Sequence, residues 1–424
     1  MSRNHYFCRK IRSIMRLLYL MAIKIYHRLV YLVAPFHRKA RLFSSGRKGT
    51  FRYLEEKVPG WKRVIWFHCA SLGEFEQGRP LIELIRQNDP EAKILLTFFS
   101  PSGYVVRKDY SKADCVAYLP ADTPRNARRF ISLADPEKVF FIKYEYWYFF
   151  LKELHRRGIP TYLVSAIFRE EQVFFRWYGR WFRRLLDFYS HIFVQDDGSK
   201  KLLHDYSIDH VSVSGDTRFD RVKQVSRSAP ALPLVEKFAG GSLLLVAGST
   251  WPADEKLLIR YFRESGFSFK MILAPHEVHP SNIQRMVSSF YPHESVTWSE
   301  ASEERLEKAR ILIIDSIGML SSLYGYGRLA YVGGGFGKGI HNILEAAAYG
   351  IPVVFGPNHE KFKEAVDLKE KEGAFAIREY EDLSILLDDL MGHSEKINDA
   401  GKIAGSYVDE RSGSVQHIWS EIFR

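Results

Sequence analysis

At 424 residues the chain exceeds what one hydrophobic core normally serves, so two domains are expected. Its net charge of +11 is unevenly placed: residues 1–50 hold twelve Lys or Arg and no Asp or Glu, whereas the remainder has 49 basic against 50 acidic residues. A near-neutral body argues against nucleic acid as a partner, and the basic tip points to an anionic surface such as lipid headgroups.

Cys8, Cys69 and Cys115 are far apart and form no CxxC pair, which excludes a disulfide framework or a cysteine zinc site and fits a reducing compartment. The first segment, 1–46, contains "RSIMRLLYLMAIKIYHRLVYLVAPF" (12–36). On a helix, Arg12, Arg16, Lys24 and Arg28 form a basic stripe opposite Leu18, Tyr19, Ala22, Ile25, Leu29 and Leu32. Such a helix can lie in a membrane interface with its cations at phosphate level. A transmembrane span would place Lys24 and Arg28 near mid-bilayer, and a signal peptide would need a cleaner apolar run and a small-residue cleavage site.

From 47 to 225 apolar runs alternate with helical patterns. Strands are expected at 63–71, 93–100, 115–120, 138–143, 160–166, 191–196 and 211–215, with a helix from about Glu74 to Gln87. This alternation predicts a parallel sheet covered by helices. Within it, "EEQVFFRWYGRWFRRLLDFY" (170–189) interleaves Arg176, Arg180, Arg183 and Arg184 with aromatic residues. It reads either as a headgroup-level surface or as an amphipathic helix packed on the sheet. Residues 226–241, rich in Pro, Gly and small residues, read as a linker.

A second alternating set, at 242–250, 269–275, 311–315, 329–335 and 351–357, marks a second domain over 242–400. The end, 401–424, is expected to be helical and to pack back on the first domain. Two doubly wound domains place ligands at the carboxyl ends of their strands. The loop "YVGGGFGKGIHNILEAAAYGIPVVFGP" (331–357) is the candidate phosphate cradle. It is not a P-loop, because Gly339 and Ile340 stand where Ser or Thr would bind Mg²⁺. It is not a dinucleotide fingerprint either, since Lys338 or Ile340 falls in the last glycine place. A helix starting near His341–Asn342 would favour a phosphate or polar ligand. Asn342 and Glu345 share a helical face, where Glu345 could hold a ribose diol or close a capping box. His276, Glu277 and His279 lack metal-ligand spacing, so no metal is expected.

These segments carry a resemblance. The loop, with "ASLGEFEQGRPLI" (70–82), "KYEYWYFFLKEL" (143–154), "GDTRFDRV" (215–222), "AGSTWPADE" (247–255) and "DSIGMLSSLYGYG" (315–327), is similar to the 3-deoxy-D-manno-octulosonic acid (Kdo) transferases of lipopolysaccharide inner-core assembly. The resemblance runs from about residue 15 to the end, with the motifs in the family's order. It implies a GT-B fold, two Rossmann-like doubly wound domains facing a cleft, the first for acceptor and the second for donor. It further implies an inverting transfer of Kdo from CMP-Kdo to a lipid A precursor (lipid IVA), without cofactor, at the cytoplasmic face of the inner membrane.

By that resemblance Glu74 is the general base, and Glu145 and Arg218 support the transition state; the family more often has Lys at the place of Arg218. Taken alone, Glu74 reads rather as stabilising a helix start, Glu145 could be a surface carboxylate paired with Lys143, and Arg218 could belong to a domain-edge ion pair. The donor site would comprise Ser249, Thr250, Pro275, His276, Ile317, Gly318, Met319, Gly339, His341, Asn342, Ile343, Leu344 and Glu345. The family usually has Pro-Arg-His where this chain reads "PHEVH", so His276 replaces a phosphate-binding Arg. It also often has Gly-Glu at Gly318–Met319. Arg180, Arg183 and Arg184 would face the acceptor and an anionic membrane surface. A UDP-sugar transferase or epimerase and a non-catalytic sugar-nucleotide binder are the alternatives.

Overall fold

A computed structural model describes residues 3–423, with side chains from residue 13 onward. Met1, Ser2 and Arg424, at the ends of the first and last expected segments, lie outside the described residues, as does the side chain of Arg12 in the basic stripe. The chain divides into two units, one holding residues up to Arg221 together with those from Gly413, the other Val222–Ser412.

The first unit is built on a seven-stranded sheet: β1 (Val64–Cys69), β2 (Lys93–Phe98), β3 (Cys115–Tyr118), β4 (Pro136–Ile142), β5 (Thr161–Ala166), β6 (His191–Val194) and β7 (Val211–Val213). Their order is β3-β2-β1-β4-β5-β6-β7, every pair parallel. The strands read as unbroken apolar runs because both faces are covered by helices. Trp66, Leu95, Val139 and Phe141 serve one core, and Phe67, Phe75, Leu96 and Phe140 the other.

The second unit repeats the plan with β8 (Leu244–Thr250), β9 (Lys270–Pro275), β10 (Ser295–Thr297), β11 (Ile311–Ile313), β12 (Leu329–Val332), β13 (Val353–Phe355) and β14 (Ala374–Ala376). The order is β10-β11-β9-β8-β12-β13-β14, again wholly parallel. Strand order reverses direction between β1 and β4 in the first sheet and between β8 and β12 in the second. Ligands of open parallel sheets bind at such switch points, outside the carboxyl ends of the strands.

Three boundaries differ from the sequence reading. Residues 226–241 do not link the units but fall within the second, carrying the end of helix Thr217–Arg227 and a helix Pro233–Ala239, whose Val235 and Phe238 are fully buried. Pro233 begins that helix and Gly240, with φ 55°, ends it, so the residues read as linker signals are its start and stop. The second domain does not end at 400, because helix Ser394–Arg411 runs on with Ile397, Ala404 and Val408 buried. Only from Gly413 does the chain belong to the first unit, where Val415 and Ile418 join the core of Phe67 and Phe75.

The N-terminal helix, Arg3–Val33, does not turn its most apolar face inward. Leu17, Leu18, Met21, Ile25, Leu29 and Leu32 are exposed, while Tyr19, Leu20, Ile23 and His27 are partly covered. Tyr19 packs on Tyr148, Phe149 and Trp181, and its hydroxyl donates to Asp122 Oδ2 at 2.6 Å. Asp122 also accepts from the N–H groups of Phe149 and Phe150, at the start of helix Tyr148–Arg156. Burial pushes its carboxyl up to about 6, against these hydrogen bonds. Among the described residues no single helix is long and apolar enough to cross a membrane. One bent pair, Ser13–Val33 with Arg38–Arg47 at 119°, passes by length and composition together.

Candidate active site

At the first switch point, β1 leads into Ala70 and Ser71, and β4 into Lys143–Tyr146. Ser71 caps helix Leu72–Asn88, accepting from Gly73 N–H at 3.2 Å, and its hydroxyl donates to the carboxylate of Glu74. Glu74 is thereby held in the first turn, half-buried, where the helix N-terminus favours its negative charge.

Beyond β4, Lys143 takes a left-handed conformation (φ 73°), and Glu145 follows in the interior, 1% exposed. Glu145 Oε2 lies 3.1 Å from His68 Nε2 on β1 and accepts from Trp147 Nε1 at 2.5 Å, leaving Oε1 buried without a partner. The alternative of a surface carboxylate paired with Lys143 therefore does not hold. His68 Nδ1 lies 2.9 Å from Thr97 Oγ1 on β2, so the pair is anchored across three strands.

Arg218 stands after β7, its Nε donating to Asp216 Oδ2 at 2.7 Å. Burial raises the Cys69 thiol, reinforced by Glu145 and Glu74. Burial also raises the Tyr144 phenol, which feels Arg169, Glu74, Arg218 and Asp216. Glu74 and Glu145 thus follow the two strands between which strand order reverses, while Arg218 follows the edge strand β7 at the same carboxyl-end edge of the sheet.

At the second switch point Ser249, with φ 52°, bulges from the β8–β9 ladder. Thr250 is buried and its hydroxyl donates to Glu255 Oε1 at 3.1 Å, so it is committed internally rather than offered to a ligand. The glycine loop leaves β12 against this corner. A Cβ on Gly333 would lie 2.5 Å from Ser249 O and 2.8 Å from Asp254 Oδ2, closer than any side chain permits. Asp254, fully buried, joins the segments: it accepts from Trp251 N–H (2.9 Å), Gly334 N–H (3.0 Å) and Tyr331 O–H (2.8 Å).

After the loop the helix begins at Leu344, not at His341–Asn342, and is one turn long, Leu344–Ala347. Its macrodipole is correspondingly small, so a helix end contributes little to holding a phosphate here. Asn342 Oδ1 accepts from Leu344 N–H at 3.2 Å and its Nδ2 donates to Glu345 Oε1 at 3.1 Å, a local turn that engages both side chains. Ile343 and Leu344 are core residues and can offer only backbone. Pro275 closes β9, and His276 sits beside Trp251 and His341. Ile317 is 91% exposed and Gly318 has φ 100°, presenting open backbone after β11, while Met319 Sδ accepts from Ser316 O–H. Gly339 lies on the same loop as His341.

The 170–189 segment is not one amphipathic helix. It breaks into the turn Val173–Phe175, helix Arg180–Arg183 and the turn Leu186–Phe188. Gly179 causes the break, its Cα pressed against Val173 O where a Cβ would lie 1.6 Å away. Arg180 is exposed and Trp177 is 93% exposed, whereas Arg183 is tied inward, donating to Phe174 O at 3.0 Å and stacking over Tyr206. His68, Asp254 and Trp251 were missed as site builders. His68 interrupts the apolar run "VIWFHC", the one visible signal for it. Among the described residues no three His, Cys, Asp or Glu side chains converge as metal ligands.

Residues 42–221 match the family described as 3-deoxy-D-manno-octulosonic-acid transferase (kdotransferase). The chain is 27% identical to the 3-deoxy-D-manno-octulosonic acid transferase of Aquifex aeolicus over 384 residues, 88% of this chain and 96% of that protein. It is 26% identical to that of Chlamydia muridarum over 410 residues, 92% of each. Among solved structures it resembles UDP-GlcNAc 2-epimerase from Neisseria meningitidis (TM-score 0.59, 14% identity, 85% of this chain and 99% of that one). Acinetobacter baumannii MurG is similar as well (TM-score 0.55, 12% identity, 85% and 99%). At such identities the structural likeness speaks for fold alone. Its motifs, its two parallel seven-stranded sheets and these relatives make the chain a glycosyltransferase of GT-B fold similar to the Kdo transferases.

Proposed function

We propose that the protein transfers Kdo from CMP-Kdo to a hydroxyl of a lipid A precursor such as lipid IVA, with inversion at the anomeric carbon and no cofactor. The observation that carries this reading is the position of Glu74 and Glu145 after the two strands of the first sheet's switch point, with Arg218 at the same carboxyl-end edge. Glu74, oriented by Ser71, takes the proton from the acceptor hydroxyl as the C–O bond to the phosphate opens. Arg218 and the buried Glu145 balance the charges that develop on the leaving phosphate and on the oxocarbenium-like sugar. The second unit holds the donor through the backbone of the glycine loop, Ser249, Ile317–Met319 and the His276–His341 corner.

The acceptor is amphiphilic, and the exposed apolar side chains of the N-terminal helix between Leu17 and Leu32, with Trp177 and Arg180, suit the headgroup level of an anionic bilayer. The cations that follow this helix, Arg38, Lys39, Arg41 and Lys48, support the cytoplasmic face of the inner membrane as its place. A UDP-sugar enzyme is the rival reading. Thermal shift with CMP against UDP separates the two: CMP alone should raise the melting temperature, and a shift with UDP alone would favour the rival.

A further inference from the structure

His276 leaves the carboxyl end of β9 with its N–H donating to Thr250 O at 2.9 Å. Its imidazole stacks on the Trp251 indole (centroids 4.8 Å, planes 23° apart) and on the His341 imidazole (4.3 Å, 26°). Trp251 Nε1–H donates to His341 Nε2 at 3.3 Å. That bond requires His341 Nε2 to be unprotonated, so the neutral ring carries its proton on Nδ1. Three rings from three segments therefore close on one another at the second switch point, beside Ser249 and the glycine loop.

Two imidazoles stacked at this distance resist a double positive charge but can carry one proton when an anion arrives. His341 sits below the ordinary histidine range, through burial and the neighbouring His276, with Asp254 opposing. Asp254 is held by Trp251, Gly334 and Tyr331, and Glu255 of the same helix by Thr250 and Arg285. Glu277 and His279 on the His276 loop and Lys338 on the glycine loop are exposed. No Lys or Arg stands in 247–252 or 275–280, and Lys338 is the cation of the glycine loop.

We propose that His276 and His341 together form the phosphate-binding group of the second unit, taking the nucleotide phosphate with one acquired proton while Trp251 holds the stack. This rests on the donor assignment above. A phosphate monoester dianion gains most from it, so CMP is the apt probe and cytidine its control. Donor affinity then falls with rising pH, because the proton must be drawn from solution.

The test is calorimetric titration of the full chain with CMP and with cytidine between about pH 6.5 and pH 8.5, repeated in buffers of different ionisation enthalpy. CMP should weaken by roughly tenfold or more over this range, with uptake of about one proton, while cytidine stays constant. His276→Arg should bind CMP with a flattened pH dependence, and His276→Asn should bind it weakly; circular dichroism confirms folding of both. CMP binding that is flat with pH in the wild type, or equally steep in His276→Arg, overturns the pair while leaving the donor assignment intact. No CMP binding at any pH by either folded protein overturns both.

Discussion

His68 Nε2 and Glu145 Oε2 lie 3.1 Å apart inside the first unit, with side chains 0% and 2% exposed. The pair joins the ends of β1 and β4, the two strands between which the sheet reverses its order. Removing one partner strands the other in a medium that solvates it poorly. His68→Ala should therefore lower unfolding free energy by about 3 kcal/mol in urea denaturation. Glu145→Gln, which keeps the shape and can still accept from Trp147, should cost less. A loss in His68→Ala comparable to a surface substitution would show the contact to be incidental.

Asp122 makes folding stability depend on pH. Its folded value, about 6, lies above the ordinary 3.8 because burial outweighs the hydrogen bonds from Tyr19, Phe149 and Phe150. A raised carboxyl favours the protonated fold, so its contribution is complete below about pH 4 and is lost as pH rises through about 6. The cost of ionising it in place is on the order of 3 kcal/mol. Asp122→Asn, which removes this titration, should compare better with wild type at about pH 7.5 than at about pH 4.5 in urea unfolding. An identical stability difference at both pH values would refute the assignment.

Trp177 and Arg180 test the membrane reading without touching the core. Trp177 is 93% exposed, so Trp177→Ala should change stability by no more than about 0.5 kcal/mol. Binding to phosphatidylglycerol vesicles should weaken in both variants, by about fivefold for Arg180→Gln. Arg183→Gln behaves differently, since its guanidinium holds the Phe174 carbonyl: it should lose stability as well. Unchanged vesicle partitioning in Trp177→Ala and Arg180→Gln would remove the segment from the membrane surface.

The strands at both switch points were legible because buried parallel strands write themselves as apolar runs: "RVIWFHCAS", "KVFFIK", "SLLLVAGST" and "LAYVGGG". β10 and β14 were not, since Ser-Val-Thr and Ala-Phe-Ala are too short to show a period and the sheet supplies their conformation from outside. The helix near Asn342 was placed too early because an Asx turn and a helix cap use the same side chain. Asp254 and Trp251 escaped notice for a related reason. An acidic residue in a first turn reads as ordinary dipole compensation, and only the fold reveals that its second oxygen reaches Gly334. The polar residues of a site are positioned by contacts distant in sequence, which a linear pattern does not record.

Glu74 carries the central claim. The decisive measurement is formation of Kdo-bearing lipid from CMP-Kdo and tetraacylated lipid A precursor, comparing wild type with Glu74→Gln while CMP affinity is followed in parallel. The loss of a proton acceptor should slow turnover by roughly 10²–10⁴-fold and leave CMP binding unchanged. Equal turnover by the two proteins, or no Kdo transfer by the wild type, would contradict the account.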